Sequence, residues 1–269
     1  MDKIKIGVMG ACGKMGQEIC KTILDDSALE LAAAIDVINQ GYDIGLLVGR
    51  PRVGVCIETN FNNLIQSTKL DVLVDFTNAQ ALLNNVPKAL SRGINMVIGT
   101  TGLTSQEIEN IQIMAMNNKV GVIIAPNFAI GALLMIRFAK EAAKYFPHIE
   151  IIEKHHDQKL DAPSGTAIKT LEEISKVRMP LKQGNPKEYE KISRVRGGDY
   201  QGIKVHSMRL PGLIAHQEIV FGGIGQTLTI IHDSLSRESF MPGIILACKK
   251  VISLKGLVYG LENILPDSN

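Results

Sequence analysis

Cysteine is scarce in this chain, and the residues that occur are scattered. None belongs to a CxxC pair or to a Cys/His cluster with the spacing of zinc ligands; the four are Cys12, Cys20, Cys56 and Cys248. This pattern argues against a disulfide framework and against a metal site. We therefore expect a reducing compartment and no bound metal.

The chain also lacks an excess of charge of one sign and a long apolar segment. Its 29 Lys and Arg against 27 Asp and Glu give a formal net charge of +2, without a block of like charge for binding nucleic acid. No segment reaches the roughly 18 apolar residues of a membrane span, and the N-terminal apolar run is too short for a signal peptide. We expect a cytoplasmic protein with small-molecule partners, no nucleic acid and no membrane.

The length of 269 residues is sufficient for two domains. Up to about residue 126, short apolar runs alternate with helical patterns; the runs are IKIGVMG, LELAAAI, DVLVDFT, NMVIGTT and VGVIIAP. Such alternation predicts an α/β domain with a Rossmann-like parallel sheet covered on both faces. Ligands of these sheets bind at the carboxyl ends of the strands.

The pattern changes after residue 127. A helical stretch near 129–145 precedes the strand pattern IEIIEKHH, and a helix is expected from Ser164. Four β-like segments then follow one another: KISRVR, IKVHSMRL, GLIAHQEIVF and GQTLTIIHDS. They predict an α+β domain with an open mixed sheet. The domain boundaries that we expect are 1–127 for the first domain and 128–236 for the second. A final helix of about 237–254 is expected within a C-terminal helical segment, 237–269, that packs back on the first domain.

Glycine is concentrated after the first predicted strand, in GVMGACGKMG. Glycines between a strand and a helix allow a tight turn and the close approach of backbone amides to a diphosphate. The spacing G-x-x-G-x-x-G is a variant of the usual dinucleotide fingerprint, and glycine-rich turns also occur merely to save space. The predicted cofactor contacts in this turn are Gly10, Ala11, Cys12, Gly13, Lys14, Met15 and Gly16.

Asp36 follows the second predicted strand, and its carboxylate can accept hydrogen bonds from the adenosine ribose. A solvated aspartate at a strand end is the alternative interpretation. Val37 stands where an arginine could pair with a 2′-phosphate, so charge repulsion favours NADH over NADPH. Because Lys14 can still attract a phosphate, we predict NADH as the preferred cofactor with incomplete discrimination.

Three further turns follow apolar strands and are therefore expected at the same sheet edge, where the nicotinamide should bind. They are VDFTNA (74–79), IGTTG (98–102) and APNFA (125–129). Taken singly, each is also typical of an ordinary turn. The predicted cofactor contacts in them are Phe76, Thr77, Gly99, Thr100, Thr101, Gly102, Ala125, Pro126, Asn127 and Phe128.

The segment EKHHDQKLDAPSGTA, residues 153–167, combines two imidazoles, an amine and a helix start. His155 and His156 leave the end of a predicted strand and Lys159 follows, while the amides of residues 164–166 open a helix and can bind a carboxylate. A histidine pair is also common as a surface feature, and without a third spaced ligand it makes a poor metal site. Because a dinucleotide domain needs a substrate site, we interpret this segment as a site for a small dianionic acid that receives a proton.

The motif E-x-H-H-x-x-K-x-D-A-P-S-G-T-A, preceded in order by GxxGxMG, DFT, GTTG and APNFAIG, closely resembles the 4-hydroxy-tetrahydrodipicolinate reductase family, also called dihydrodipicolinate reductases. The similarity covers nearly the whole chain. It implies a homotetrameric, NAD(P)H-dependent enzyme of lysine and diaminopimelate synthesis that reduces a cyclic dicarboxylate. It also implies an N-terminal Rossmann domain and a C-terminal substrate domain whose open sheet builds the tetramer.

On the matching positions, the resemblance makes His155 the general acid and Lys159 its catalytic partner. The substrate carboxylates would be bound by His156, Lys159, Ser164, Gly165 and Thr166. Many members have RxGDIVGEH where this chain has RLPGLIAHQ at 209–217, so no catalytic role is assigned to His216. Many also have arginine at the position of Val37, which puts a preference for NADPH in doubt.

Two other functions fit the first domain. One is a different amino-acid-pathway dehydrogenase, but the semialdehyde type needs a nucleophilic cysteine, and no cysteine falls in the predicted substrate site. The other is a non-catalytic dinucleotide-sensing module, which would bind NADH without turnover. The presence of both His155 and Lys159 argues against it.

Overall fold

The computed structural model describes residues 2–265, which form two compact units. Residues up to 128 and from 240 onward make up the first unit, and residues 129–239 make up the second. The last part of the predicted segment 237–269 and the first residue of the predicted domain 1–127 lie outside the described residues. Strands and helices are numbered below in chain order.

A seven-stranded parallel sheet forms the centre of the first unit. Its strands are β1 (Ile4–Met9), β2 (Leu29–Ile35), β3 (Ile57–Glu58), β4 (Val72–Asp75), β5 (Asn95–Ile98), β6 (Gly121–Ile124) and β12 (Gly256–Tyr259). Their order is β12-β6-β5-β4-β1-β2-β3, so the direction of progression reverses between β1 and β4. Such a reversal opens a crevice at the carboxyl ends of the strands. The predicted Rossmann-like sheet is confirmed.

Helices connect the strands of the first unit. They are α1 (Lys14–Asp25), α2 (Ile44–Leu47), α3 (Phe61–Ser67), α4 (Ala79–Leu90), α5 (Ser105–Asn118) and α8 (Met241–Val251). Side-chain caps define several helix starts: Asn60 caps α3, Asn78 caps α4, and Thr104 with Glu107 forms a capping box on α5. All four residues of β4 and of β6 are buried, as expected for parallel strands with both faces covered.

The C-terminal region differs from its prediction as one helix. A short 3-10 helix, Arg237–Phe240, precedes α8, which ends at Val251, and Gly256–Tyr259 pairs with β6 as an edge strand of the first sheet. The predicted helix is therefore wrong beyond Val251. Gly256 has φ +96°. A helix cannot continue through this backbone conformation, whereas glycine can adopt it at the start of a strand. A strand of four residues is too short to show a convincing period, and the same holds for α2 and β3, which no pattern predicts.

The second unit contains a five-stranded mixed sheet. Its strands are β7 (His148–His155), β8 (Gly198–Tyr200), β9 (Ile203–Arg209), β10 (Ala215–Gly223) and β11 (Gln226–Ser234), in the order β11-β10-β7-β9-β8. Only β7 and β9 pair parallel among these neighbours. Two helices, α6 (Ile130–Ala142) and α7 (Gly165–Ser175), share a core with β7, β9 and β10. The predicted open mixed sheet is confirmed.

The segment KISRVR, 191–196, is not a strand as predicted but a series of turns. Arg194 has φ +64°, in the left-handed region that strands do not adopt. The Glu190 carboxylate accepts hydrogen bonds from the backbone N–H groups of Arg194 and Arg196, which closes the turn. The strand in this region is the shorter β8, two residues further on.

None of the helices within residues 2–265 combines the length and the apolar character that crossing a bilayer requires. In the same residues, no group of three or more His, Cys, Asp or Glu is arranged to hold a metal ion. The four cysteines are free thiols; Cys20 and Cys248 are buried, whereas Cys56 is exposed.

A buried arginine joins the loop after α7 to other segments of the second unit. Arg178 is only 6% exposed, and its guanidinium donates hydrogen bonds to the backbone carbonyls of Pro147, Leu181 and Gln201. Those carbonyls come from three separate segments. The one side chain therefore provides donors to three part-buried carbonyls and links their segments.

Arg178→Met should lower the free energy of unfolding by about 3 kcal/mol, because three hydrogen bonds from a charged and buried donor are lost. Urea denaturation at neutral pH measures the change. Arg52→Met removes an arginine that is exposed and should change the value by less than about 0.5 kcal/mol. Equal effects of the two substitutions would contradict the role given to Arg178.

Candidate active site

The glycine turn follows β1 and leads into α1, with Gly13 as the N-cap of the helix. Gly10 has φ +76°, and a Cβ on it would lie 2.6 Å from the Phe76 carbonyl oxygen. A Cβ on Gly16 would lie 1.9 Å from the Gly10 carbonyl oxygen. Both positions therefore require glycine, and the turn holds the start of α1 against the sheet edge with its first N–H groups available to an anion.

Asp36 lies immediately after β2, beside the glycine turn. Its Oδ2 accepts a hydrogen bond from the backbone N–H of Cys12 at 2.8 Å, and its Oδ1 accepts one from Val37 at 2.7 Å. The carboxylate is thus fixed at the end of β2 while keeping lone pairs for further donors. Val37 is 88% exposed and brings no positive charge to this position.

A cleft of about 770 Å³ opens at this edge of the first unit. The predicted residues among its lining are Gly10, Cys12, Gly13, Asp36, Phe76 and Thr77. Residues that the sequence reasoning missed also line it, among them Thr59, Asn60 and Lys88. The predicted contacts that do not line it are Ala11, Lys14, Met15, Gly16, Gly99, Thr100, Thr101, Gly102, Ala125, Pro126, Asn127 and Phe128.

Three of the predicted turns meet around one aromatic ring. A Cβ on Gly99 would lie 2.2 Å from the Phe76 ring, and the ring centroids of Phe76 and Phe128 are 5.6 Å apart. The turns after β4, β5 and β6 are therefore packed against each other, as adjacent carboxyl ends in a parallel sheet should be. Glycine at position 99 is what allows the Phe76 ring to lie there.

Asp75 is a buried carboxyl at this edge that the sequence reasoning missed. It is 0% exposed, and its Oδ1 accepts hydrogen bonds from the hydroxyls of Thr77 at 2.8 Å and Thr100 at 2.6 Å. Burial raises the pKa of Asp75, against the opposing effect of these hydrogen bonds. The two hydroxyls that were expected to face a cofactor are thus committed to Asp75. Of the three threonines predicted, Thr101 alone is exposed.

In the second unit, His155 is the last residue of β7 and Glu153 precedes it on the same face of the strand. His155 Nδ1 lies 2.5 Å from Glu153 Oε2. Glu153 is 0% exposed, and Arg209 on β9 donates from Nη2 to its Oε1 at 2.7 Å and from Nη1 to its Oε2 at 3.0 Å. Burial alone would raise the pKa of Glu153, but hydrogen bonds from His155 and Arg209, with one from Ser207, lower it to about 2.

Lys159 lies on the turn that follows β7. Its Nζ donates to Asp161 Oδ1 at 2.6 Å, and the Lys159 ammonium lowers the pKa of that carboxyl. Arg209 Nη2 also donates to the Asp161 backbone carbonyl at 2.8 Å. The same guanidinium therefore binds both the carboxylate that contacts His155 and the turn that carries Lys159. His156, between them, is exposed.

Ser164 is the N-cap of α7, and its hydroxyl accepts a hydrogen bond from the Ala167 N–H at 3.2 Å. The Ser164 side chain is thus used in capping, while Gly165 and Thr166 supply the first-turn N–H groups, which have no acceptor within a helix. Thr170 donates to the Thr166 carbonyl at 2.8 Å and accepts from Gln217 on β10. These contacts fix the start of α7 to the sheet.

His216 does not join these residues through a side-chain contact. Its Nδ1 lies 2.7 Å from Asp233 Oδ1 on β11. On β10, Ala215 pairs with His155, and Gln217, two residues further along, pairs with Glu153. The divergent segment 209–217 thus supplies Arg209 and Gln217 to the neighbourhood of Glu153 and α7.

Comparison with known proteins gives matches over nearly the whole chain. The family model described as "Dihydrodipicolinate reductase, N-terminus" matches residues 4–128, and the model described as "Dihydrodipicolinate reductase, C-terminus" matches residues 131–265. These two matches together account for most of both units.

Individual relatives agree with the family models. A 4-hydroxy-tetrahydrodipicolinate reductase of Desulfitobacterium hafniense (strain DSM 10664 / DCB-2) is 57% identical over 266 residues, which cover 98% of this chain and 100% of that protein. One of Syntrophomonas wolfei subsp. wolfei is 52% identical over 263 residues, with 98% and 99% covered. The solved structure of a dipicolinate-bound dihydrodipicolinate reductase from Paenisporosarcina sp. TG-14 has 47% identity and a TM-score of 0.86, and the match covers 98% of this chain and 100% of that one.

The Glu153 carboxyl should make stability depend on pH. Its pKa is lowered from 4.5 to about 2 in the folded protein, so the unfolded chain binds the proton first as the pH falls. The stabilisation is complete above about pH 4.5 and is lost between there and about pH 2, amounting to about 3 kcal/mol.

Urea denaturation of the unaltered protein and of Glu153→Gln across this pH range tests the prediction. The substituted protein should lose less stability on acidification, whatever its starting value. Glu172→Gln, which removes an exposed carboxyl of α7, should leave the slope unchanged. Equal slopes for all three proteins would show that the Glu153 carboxyl is not the responsible group.

Proposed function

The chain belongs to the dihydrodipicolinate reductase family, and we propose that it reduces 4-hydroxy-tetrahydrodipicolinate to tetrahydrodipicolinate with NADH or NADPH, in lysine and diaminopimelate biosynthesis. Water leaves the substrate in the overall reaction, one hydride and one proton are added, and the cofactor is oxidised. The observation that carries the proposal is the His155 imidazole, held by a buried carboxylate next to the turn of Lys159.

His155 acts as the general acid in this proposal. When bound, the reduced nicotinamide supplies the hydride to the conjugated ring of the substrate. An adjacent ring carbon then needs a proton, and an imidazole can deliver it at neutral pH because its ordinary pKa is near 6.5.

The remaining residues of the motif bind the substrate. Lys159 offers a cationic amine, and its present partner Asp161 is on the surface, where exchange for a substrate carboxylate costs little. The amides of Gly165 and Thr166, with the Ser164-capped start of α7, suit a second carboxylate. His156 is exposed at the end of β7 and can donate to the same ligand. The dipicolinate bound by the Paenisporosarcina relative is a dicarboxylate of this kind.

The cleft of the first unit holds the cofactor. Backbone amides of the glycine turn receive the diphosphate, and the Asp36 carboxylate accepts from the ribose hydroxyls. Because Val37 supplies no charge to offset a 2′-phosphate, NADH is the preferred cofactor, with NADPH accepted less well. The turns around Phe76, Gly99 and Phe128 lie at the same edge and suit the nicotinamide end.

A homotetramer built on the open sheet of the second unit also forms part of the proposal. Apolar side chains on and beside β11 are exposed, among them Ile224, Leu228 and Ile231. Exposed apolar side chains along an edge strand favour association with another subunit. The alternative of a dinucleotide-sensing module is not favoured, because the relatives of this chain are named as reductases.

His155→Gln should lower turnover by about 10²-fold or more, as expected for a lost general acid, and leave cofactor binding nearly intact. The assay follows the loss of NADH absorbance with substrate freshly made by the preceding synthase. His206→Gln is the matched control, because His206 also contacts a glutamate of β7 but has no role in the proposal. Near-normal turnover of His155→Gln would remove His155 from its role.

Asp36→Ala should lower kcat/KM for NADH more than for NADPH, by about tenfold, which corresponds to one hydrogen bond with a charged group. The ratio of the two kcat/KM values is the measurement, because general damage to the cleft affects both cofactors alike. Asp25→Ala, which removes the exposed partner of Arg50 in the same unit, should leave the ratio unchanged. An equal or opposite response at Asp36 would refute its contact with the ribose.

A further inference from the structure

Glu153 is a charged group enclosed by protein. Its side chain is completely buried, and donors from two neighbouring positions converge on it: the His155 imidazole from the same strand and the Arg209 guanidinium from β9. A buried carboxylate is stable as an ion only where such donors replace water. Arg209 contacts both oxygens in the paired geometry that is typical of strong Arg–carboxylate interactions.

An ionised carboxylate restricts which histidine nitrogen carries a proton. It can only accept hydrogen bonds, so Nδ1 of His155 must be the donor in the 2.5 Å contact with Glu153. Nε2 is then the nitrogen that gains and loses a proton. When His155 gives up the Nε2 proton, the neutral ring that remains is already the tautomer that Glu153 binds.

We propose that Glu153 is a positioning residue of the reductase reaction, which holds His155 with Nδ1 protonated and Nε2 directed to the substrate as the proton donor. The proton passes from Nε2 to the substrate carbon, and the electron pair of the N–H bond stays on Nε2. Glu153 touches neither substrate nor cofactor in this role. The inference rests on the proposed function of His155 as the general acid.

Arg209 extends this role to the second catalytic group. Its guanidinium binds Glu153 and also donates to the backbone carbonyl of Asp161, whose side chain contacts Lys159. The orientation of His155 and the position of the turn after β7 are thus set by one connected group. Because Glu153 has no exposed surface, its charge is stabilised by these protein donors and not by water.

The chain contains a second cluster of the same composition that serves as a control. Glu150, also on β7, contacts His206 Nε2 at 2.9 Å and Arg196 Nη2 at 2.7 Å. Its position differs from that of Glu153 by three residues, so its side chain is on the opposite face of the strand. Its side chain is 32% exposed rather than buried. Substitution there removes the same type of contact away from His155.

Glu153→Gln should lower kcat by about tenfold or more and change KM for substrate and for NADH by less than about twofold, because orientation of the proton donor matters in the transition state and not for binding. Glu150→Gln should retain kcat. Circular dichroism verifies that both proteins are folded. Unchanged kcat in Glu153→Gln, with turnover lost in His155→Gln, would overturn the positioning role and leave the proposed function standing. Normal turnover in His155→Gln would overturn both.

Nitrogen-15 NMR of histidine-labelled protein tests the tautomer without relying on the stability of a variant. At alkaline pH, where imidazole is neutral, the unaltered protein should give a His155 signal with Nδ1 protonated, assigned by its absence in His155→Gln. The shape-conserving Glu153→Gln protein should show a larger fraction with Nε2 protonated, since an amide donates as well as accepts. An Nε2-protonated ring in the unaltered protein would overturn the inference.

Discussion

The Glu153 carboxylate is buried without any exposed surface, and the second unit must supply the donors that keep it charged. Arg209 reaches it from β9, and His155 reaches it from the same strand. Because β7 and β9 pair in register, with Glu153 opposite Ser207 and His155 opposite Arg209, sheet pairing itself brings these groups together. The carboxyl end of β7 is therefore held by an internal charge balance, and the flanking turn is fixed by the same guanidinium.

In the first unit, backbone groups of the glycine turn are held at the carboxyl edge of the sheet. Its glycine turn needs close approach of chain to chain, which Gly10 and Gly16 permit because any Cβ there would meet a carbonyl oxygen. Carboxylates then fix the surroundings of the turn: Asp36 binds the N–H of Cys12, and Asp75 binds the two threonines of the neighbouring turns. A ligand arriving at this edge meets amides and carboxylates that are already oriented, so little ordering is required on binding.

Sequence reasoning predicted the parts of the molecule that local patterns determine. The alternation of apolar runs and helices identified the first sheet, and the glycine turn with Asp36 identified the edge at which its cleft opens. It missed β12 because four residues carry no readable period. It misread 191–196 because the apolar pattern of that segment does not reveal that the Glu190 carboxylate closes a turn through the backbone N–H groups of Arg194 and Arg196.

The networks around the sites were also beyond reach of the sequence alone. Asp75 and Glu153 look like ordinary strand residues until pairing shows which donors face them. The alternation of Glu153 and His155 on one strand was a usable signal, since residues two apart share a face. Nothing in the sequence indicated that Arg209, more than fifty positions later, would complete the group.

The return of the chain to the first sheet has a consequence for biosynthesis on the ribosome. β12 forms hydrogen bonds along β6, yet 131 residues separate the end of one strand from the start of the other, 124 to 256, and the whole second unit is made in between. Until that last portion emerges, the open side of β6 is an unpaired edge of the kind that promotes wrong partners. The first sheet therefore stays incomplete at β6 until the second unit has been translated.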